Sequence, residues 1–204
     1  MTKNITIGIV KLGNSNLSGI RKLLVDLDKE VKLVEEKAKL NSFSHIIIPG
    51  VGSFDYGIQA LERLNLAEEI IEFSISGKPL LGICLGMQLL GAESDEGVKK
   101  GLNLYPAKFK KLTSPNLILP HVGFNKVNKI SDIPILKDLE SPQFYFNHTY
   151  ACTKRDLDTL RYATTDYGEK FLSIISHENI TGVQFHPEKS YFSGIKLFEN
   201  FVRL

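Results

Sequence analysis

Gly82-Ile83-Cys84-Leu85-Gly86 sets a cysteine between two glycines, behind the apolar run "KPLLGI". A G-x-nucleophile-x-G pattern suits a nucleophile elbow, where a strand turns abruptly into a helix. The nucleophile then stands at the strand's carboxyl end, and the glycines remove Cβ clashes where strand and helix cross. Free amides of the following helix face the sulfur and favour the reactive thiolate. The Leu85 N–H points toward a developing oxyanion. Free cysteine is also among the most buried residue types, so this pentapeptide alone equally suits a packed core.

A thiolate nucleophile needs a base to carry protons and a group to orient that base. Residues 182–190, "GVQFHPEKS", offer both. Gly182–Phe185 reads as a strand, and Pro187 stops regular pairing just after His186. His186 and Glu188 are two apart, so in extended geometry their side chains share a side. A carboxylate on one ring nitrogen fixes the tautomer and leaves the other nitrogen for the thiol. In isolation, His-Pro-Glu also suits a solvated turn. Pro49-Gly50-Val51-Gly52 follows the apolar run "HIII", at the sheet edge where open α/β folds bind ligands. An amide there can complete an oxyanion hole, although an ordinary glycine-rich turn explains that stretch alone.

Other chemistries lack their residues. There is no C-x-x-C, H-x-x-x-H or carboxylate cluster at ligand spacing, and no G-x-G-x-x-G or Walker loop. No metal site and no cofactor is therefore expected. His45 and His177 read as surface or satisfied histidines, and Cys152 as structural.

These groups need elements to hold them. Residues 5–10, 31–35, 45–50 and 78–84 read as strands. Leu17, Ile20, Leu23, Leu24 and Leu27 recur at helical spacing, as do apolar residues over 54–76; 85–92 is also helical. Strands alternating with helices predict an α/β fold with an open, mostly parallel central sheet and helices on both faces. The second half changes to strand-like runs separated by turns, an added mixed or antiparallel segment. A last helix over 190–203 carries Phe192, Ile195, Phe198 and Val202 on one face. No linker or repeat interrupts the chain, so 1–204 is expected to form a single domain.

Composition narrows the classes. Hydrophobic residues are 43% and charged residues 24%, which excludes disorder. A net charge of +2 with interspersed signs gives no nucleic-acid footprint. "KFKK" at 108–111 reads as a solvated strand edge. No apolar run is long enough to span a bilayer, and the amino terminus reads as a strand rather than a signal peptide. Two cysteines give no disulfide framework and point to a reducing cytoplasm.

Taken together and in this order, "PGVG", "GICLGMQ" and "HPE" resemble the class I, triad-type glutamine amidotransferases. Nearly the whole chain is similar to the glutaminase subunits of imidazole glycerol phosphate synthase. "GNSNL" (13–17), "ESDEG" (93–97), "LPHVGFNKV" (119–127), "FYFNHTY" (144–150) and "ATTDYG" (163–168) carry the likeness further. The resemblance implies a flavodoxin-like fold and hydrolysis of glutamine's side-chain amide. It implies Cys84 as nucleophile, His186 as base and acid, and Glu188 as its orienter. Gly52 and Leu85 supply oxyanion amides, and Gly50, Gln88, Glu96, Thr149 and Tyr150 hold glutamine. Asn14, Phe124, Tyr145 and Lys189 face a (β/α)8 cyclase that takes the ammonia in histidine biosynthesis. The family usually has Trp where Phe124 stands, and "VKLGNSN" and "ESDEG" also depart from its pattern. Two alternatives stay open. One is a paralogue feeding a synthase that forms an amidine on a cell-surface sugar. The other is a silent scaffold of the same fold.

Overall fold

A computed structural model describes residues 5–13, 17–36, 38–153 and 160–204. The first half lays its apolar runs side by side with helices between them: β1 (Thr6–Val10), α1 (Ser18–Asp26), β2 (Glu30–Val34), β3 (His45–Gly50), α2 (Phe54–Arg63), α3 (Ala67–Ile75), β4 (Leu80–Cys84) and α4 (Leu85–Leu90). The second half is mostly strand. It comprises β5 (Glu93–Ser94), β6 (Lys108–Lys111), β7 (His121–Lys126), β8 (Asn128–Lys129), β9 (Gln143–His148), β10 (Tyr150–Ala151), β11 (Arg161–Tyr167), β12 (Glu169–His177), β13 (Ile180–Val183) and α5 (Tyr191–Phe201).

The main sheet has eight strands among the described residues, ordered β2-β1-β3-β4-β13-β12-β11-β8. From β2 to β13 all neighbours run parallel; β12, β11 and β8 continue antiparallel. The expected mixed segment is thus welded to the parallel sheet through β13. Two smaller sheets, β10-β6-β5 and β7-β9, sit beside it. The period of two along each strand divides the core. Ile46 and Ile48 face α2, α3 and α4, among Phe54, Ile70 and Leu89. Ile7, Ile47, Leu81 and Ile83 face the other way, toward Ile20 of α1 and Phe198 of α5.

Four local expectations need correction. The helix expected over 54–76 is two, because Asn65 takes φ +53° and the Leu66 amide turns back to the Leu61 carbonyl at 3.0 Å. On α5 the buried residues are Gly194, Leu197, Phe198, Asn200 and Phe201, so Phe192 and Ile195 turn outward. The "KFKK" strand is the middle of its small sheet rather than an edge, and Lys108 pairs with Glu93 at 2.6 Å. His45 is buried, edge-on to Phe201 at 5.2 Å.

At the turn from β4 into α4 the backbones nearly touch. A Cβ on Gly86 would lie 1.7 Å from the Ile48 carbonyl oxygen of β3, and one on Gly82 would lie 2.8 Å from the Gly86 backbone. Neither neighbour is a side chain that can swing aside. Gly86→Ala is therefore expected to lower stability by about 3 kcal/mol or more, read as a fall in the urea midpoint.

Buried histidines give the fold an acid limit. Burial lowers the pKa of His45 and His121 to about 4. Burial, with the neighbouring His121 second, lowers that of His148 to about 3. All three are neutral in the fold and take up protons on unfolding below the ordinary value of 6.5. Their contribution is present above that value and is lost as pH falls toward 4 and 3. The urea midpoint should fall between pH of about 7 and about 5, a range above most carboxylate titration. An unchanged midpoint would contradict neutral burial.

Candidate active site

Cys84 is the last residue of β4 and the residue before α4, with φ +54° and ψ −109°. For a residue with a Cβ this conformation costs about 1–3 kcal/mol and persists only when its surroundings dictate it. Here they do: Cys84 is in register with Gly50 of β3, and α4 starts at the next residue over the close glycine crossing. The expected elbow is formed.

His186 reaches the sulfur from the other half of the chain. β13 ends at Val183, two residues before the strand expected from the sequence. The next residues bend toward β9, where the His186 amide donates to the Tyr145 carbonyl at 2.8 Å. Pro187–Lys189 then form a 3-10 turn rather than an extended segment. That turn brings Glu188 Oε1 to 2.9 Å from His186 Nδ1. The other ring nitrogen is left for Cys84, whose sulfur weighs on the ring's proton. Burial opposes charge on the ring, but the hydrogen bonds and charges of Cys84 and Glu188 outweigh it and raise the His186 pKa to about 10. The arrangement therefore favours an imidazolium at this position.

A buried serine fixes this turn. Ser190 Oγ donates to the His186 carbonyl at 2.6 Å and accepts from the Tyr145 amide at 3.0 Å. The base is thus tied twice to one residue of β9.

The cavity at this corner holds about 340 Å³ and is lined by Gly52, Cys84, Leu85, Gln88, Glu96, Thr149, Tyr150 and His186, among others. Gly50 is not among them: it is buried, and a Cβ there would lie 2.9 Å from Leu85 Cβ, so its place is in the packing behind the loop. A larger hollow of about 700 Å³ opens at the opposite edge of the same strands, around Pro79, Arg161, His177 and Thr181. It contains none of the expected site residues, and the smaller cavity is the one with chemistry.

Two polar contacts frame the cavity. Glu96 Oε2 accepts from the Phe54 amide at 2.9 Å, capping α2 from outside. Asp55 in the first turn of α2 returns the contact, accepting from Val98 at 3.1 Å and Lys99 at 3.0 Å. Burial and, less strongly, the Asp55 charge raise the Glu96 pKa, against the Phe54 amide. Gln88 donates from Nε2 to the Tyr150 carbonyl and to Gln184 Oε1, both at 3.3 Å. Both its N–H groups serve the protein, so Gln88 has an acceptor oxygen left for a ligand.

Of the residues expected at a partner face, Phe124, Tyr145 and Lys189 come together, while Asn14 lies outside the described residues. Phe124 meets Tyr145 edge-on at 5.6 Å, and Lys189 Nζ lies 5.5 Å above the Tyr145 ring. Sequence reasoning missed Tyr191, which stacks on Phe124 at 5.6 Å and is 79% exposed, and Phe192, 72% exposed. It also missed Gln184, fully buried and 3.8 Å from the sulfur, and His148, which lines the cavity. A glutamine two residues before the histidine of the turn was the signal for the first.

Known proteins give the same picture. Residues 9–203 match the family described as glutamine amidotransferase class-I. The imidazole glycerol phosphate synthase subunit HisH of Leptospira interrogans is 38% identical over 97% of this chain and 100% of its own length. The subunit of the same name from Caldanaerobacter subterraneus subsp. tengcongensis is 39% identical over 96% of each. Among solved structures, PurLQS from Thermotoga maritima superposes with a TM-score of 0.78 at 20% identity, over 98% of each chain, a likeness of fold. An elbow cysteine, a paired histidine and glutamate, and a match over almost the whole length make this chain a member of the class I glutamine amidotransferases.

Proposed function

We propose that the chain is a glutaminase subunit, hydrolysing L-glutamine to L-glutamate and ammonia for a (β/α)8 cyclase partner. The pair then makes imidazole glycerol phosphate and aminoimidazole carboxamide ribotide in histidine biosynthesis. The observation that carries this reading is one imidazole held between Cys84 and Glu188 at the wall of a glutamine-sized cavity. The near full-length likeness to HisH subunits supports the pathway, and favours the cyclase over a sugar-modifying synthase. The intact Cys84–His186–Glu188 group favours an enzyme over a scaffold. Residues 1–204 act in this reading as one cytoplasmic unit, with neither of its two cysteines in a disulfide.

In the reaction the Cys84 thiolate attacks the carboxamide carbon. The charged oxygen is received by the amides of Gly52 and Leu85. His186 gives its proton to the departing ammonia, leaving a thioester, then takes one from water, whose attack releases glutamate and the thiolate. Glu188 holds the ring so that both transfers use the same nitrogen. The free oxygen of Gln88 and the carboxylate of Glu96 suit the substrate's ammonium. Amides at Thr149–Tyr150, on the cavity wall, suit its carboxylate.

Ammonia released into water is protonated and loses its nucleophilicity, so it needs a covered route to the acceptor. The exposed patch of Phe124, Tyr145, Lys189 and Tyr191 lies beside His186 and suits a partner that seals that route.

Cys84→Ala should lower glutamine turnover about 10⁴-fold or more while leaving ammonia-dependent synthesis by the assembled pair intact. Persistent turnover in this variant would sink the assignment. Glu188→Gln should lower kcat about a hundredfold, with little change in KM, because it touches the base and not the substrate. Turnover should also be low in the free chain and much higher when it is assembled with a cyclase; a strong rate indifferent to the partner would count against the pairing.

A further inference from the structure

Gln184 sits directly behind the nucleophile, fully buried, and the reaction described above gives it no role. Its orientation can be worked out from hydrogen-bond polarity. A backbone carbonyl only accepts, so the Gln88 atom 3.3 Å from the Tyr150 oxygen must be the amide nitrogen. That nitrogen's second hydrogen points to Gln184, 3.3 Å away, which must therefore present its oxygen. The Gln184 nitrogen is then the atom turned to Cys84 Sγ, at 3.8 Å. The Tyr150 carbonyl also accepts from His148 Nδ1 at 3.0 Å, so the oxygen that anchors the relay is itself held in place.

We propose that Gln184 is a further residue of the reaction, its amide donating to the Cys84 sulfur and holding it as the attacking anion. The inference rests on the glutaminase reading, in which that anion is the nucleophile. The sulfur has two polar neighbours besides the imidazole. As a thiol it donates to the Asn147 carbonyl at 3.8 Å; as a thiolate it accepts from Gln184. An oxygen and an amide on opposite sides of the proton balance thus compete for the sulfur, and Gln184 weights the anion. The other titratable groups around it are His186 and Glu188 of the 3-10 turn, neutral His148 of β9, and Glu96 across the cavity. None of them can replace a neutral donor fixed behind the sulfur.

The test is the rate of Cys84 alkylation by iodoacetamide against pH on the full chain, read by peptide mass so that buried Cys152 serves as control. Gln184→Glu keeps the oxygen for Gln88 and puts a second oxygen where the donor was. Gln184→Leu removes the donor outright. Both should raise the midpoint of the rate–pH curve by about one pH unit, Glu the more. In the unmodified chain, the Gln184 side-chain amide protons should shift in NMR spectra with the same midpoint as alkylation. Midpoints unchanged in both variants, or an amide resonance that ignores the titration, would overturn the proposal while leaving the enzyme reading intact. A Cys84 that resists alkylation at neutral pH in the unmodified chain would instead overturn the reading beneath it.

Discussion

A charged imidazole in a protein interior is a costly object, and everything at this site depends on keeping one there. Burial alone would strip the proton from His186. The Glu188 carboxylate, 2.9 Å away, and the sulfur on the other side reverse that preference. Contrast His121 and His148, equally enclosed but with no anion beside them, which stay neutral and act as directional links. The same side chain type serves opposite ends, and the difference is made by the sulfur of Cys84 and the carboxylate of Glu188 on either side of the ring.

That turn could not meet the sulfur unless the sheet were built as it is. β13 lies next to β4, so the two residues that leave the sheet at the same edge do so side by side. The antiparallel strands that follow β13 in space precede it in sequence, and they let the carboxyl-terminal segment enter the sheet centre beside the elbow. On the elbow side, strain at Cys84 is sustained by a helix that rests almost directly on a strand backbone. Strain and close packing are here one feature: the crossing is possible only without Cβ atoms, and it leaves the cysteine no relaxed alternative.

Much of this was legible in the residues. Alternating apolar runs announce the parallel half, and Gly82-Ile83-Cys84-Leu85-Gly86 suggests the elbow, a reading that becomes specific only beside "PGVG" and "HPE". The separation of His186 and Glu188 was legible, but not its geometry: a spacing of two suggests an extended pair, whereas Pro187 begins a 3-10 turn that brings the side chains together differently. Asn65 hid a helix break because asparagine reaches the left-handed region without a glycine's signal. Gln184 stayed invisible because its meaning comes from three segments meeting behind the sulfur. Phe192 and Ile195 read as core because apolarity was counted and exposure was not; the true inner face is offset around the helix.

Ser190 ties a solvent-facing strand and an interior ring together through one hydroxyl. Its two bonds join the backbones of Tyr145 and His186, so the outer aromatics and the catalytic imidazole share one anchor. A partner that settles on the outer aromatics therefore bears on the same stretch of backbone that carries the imidazole.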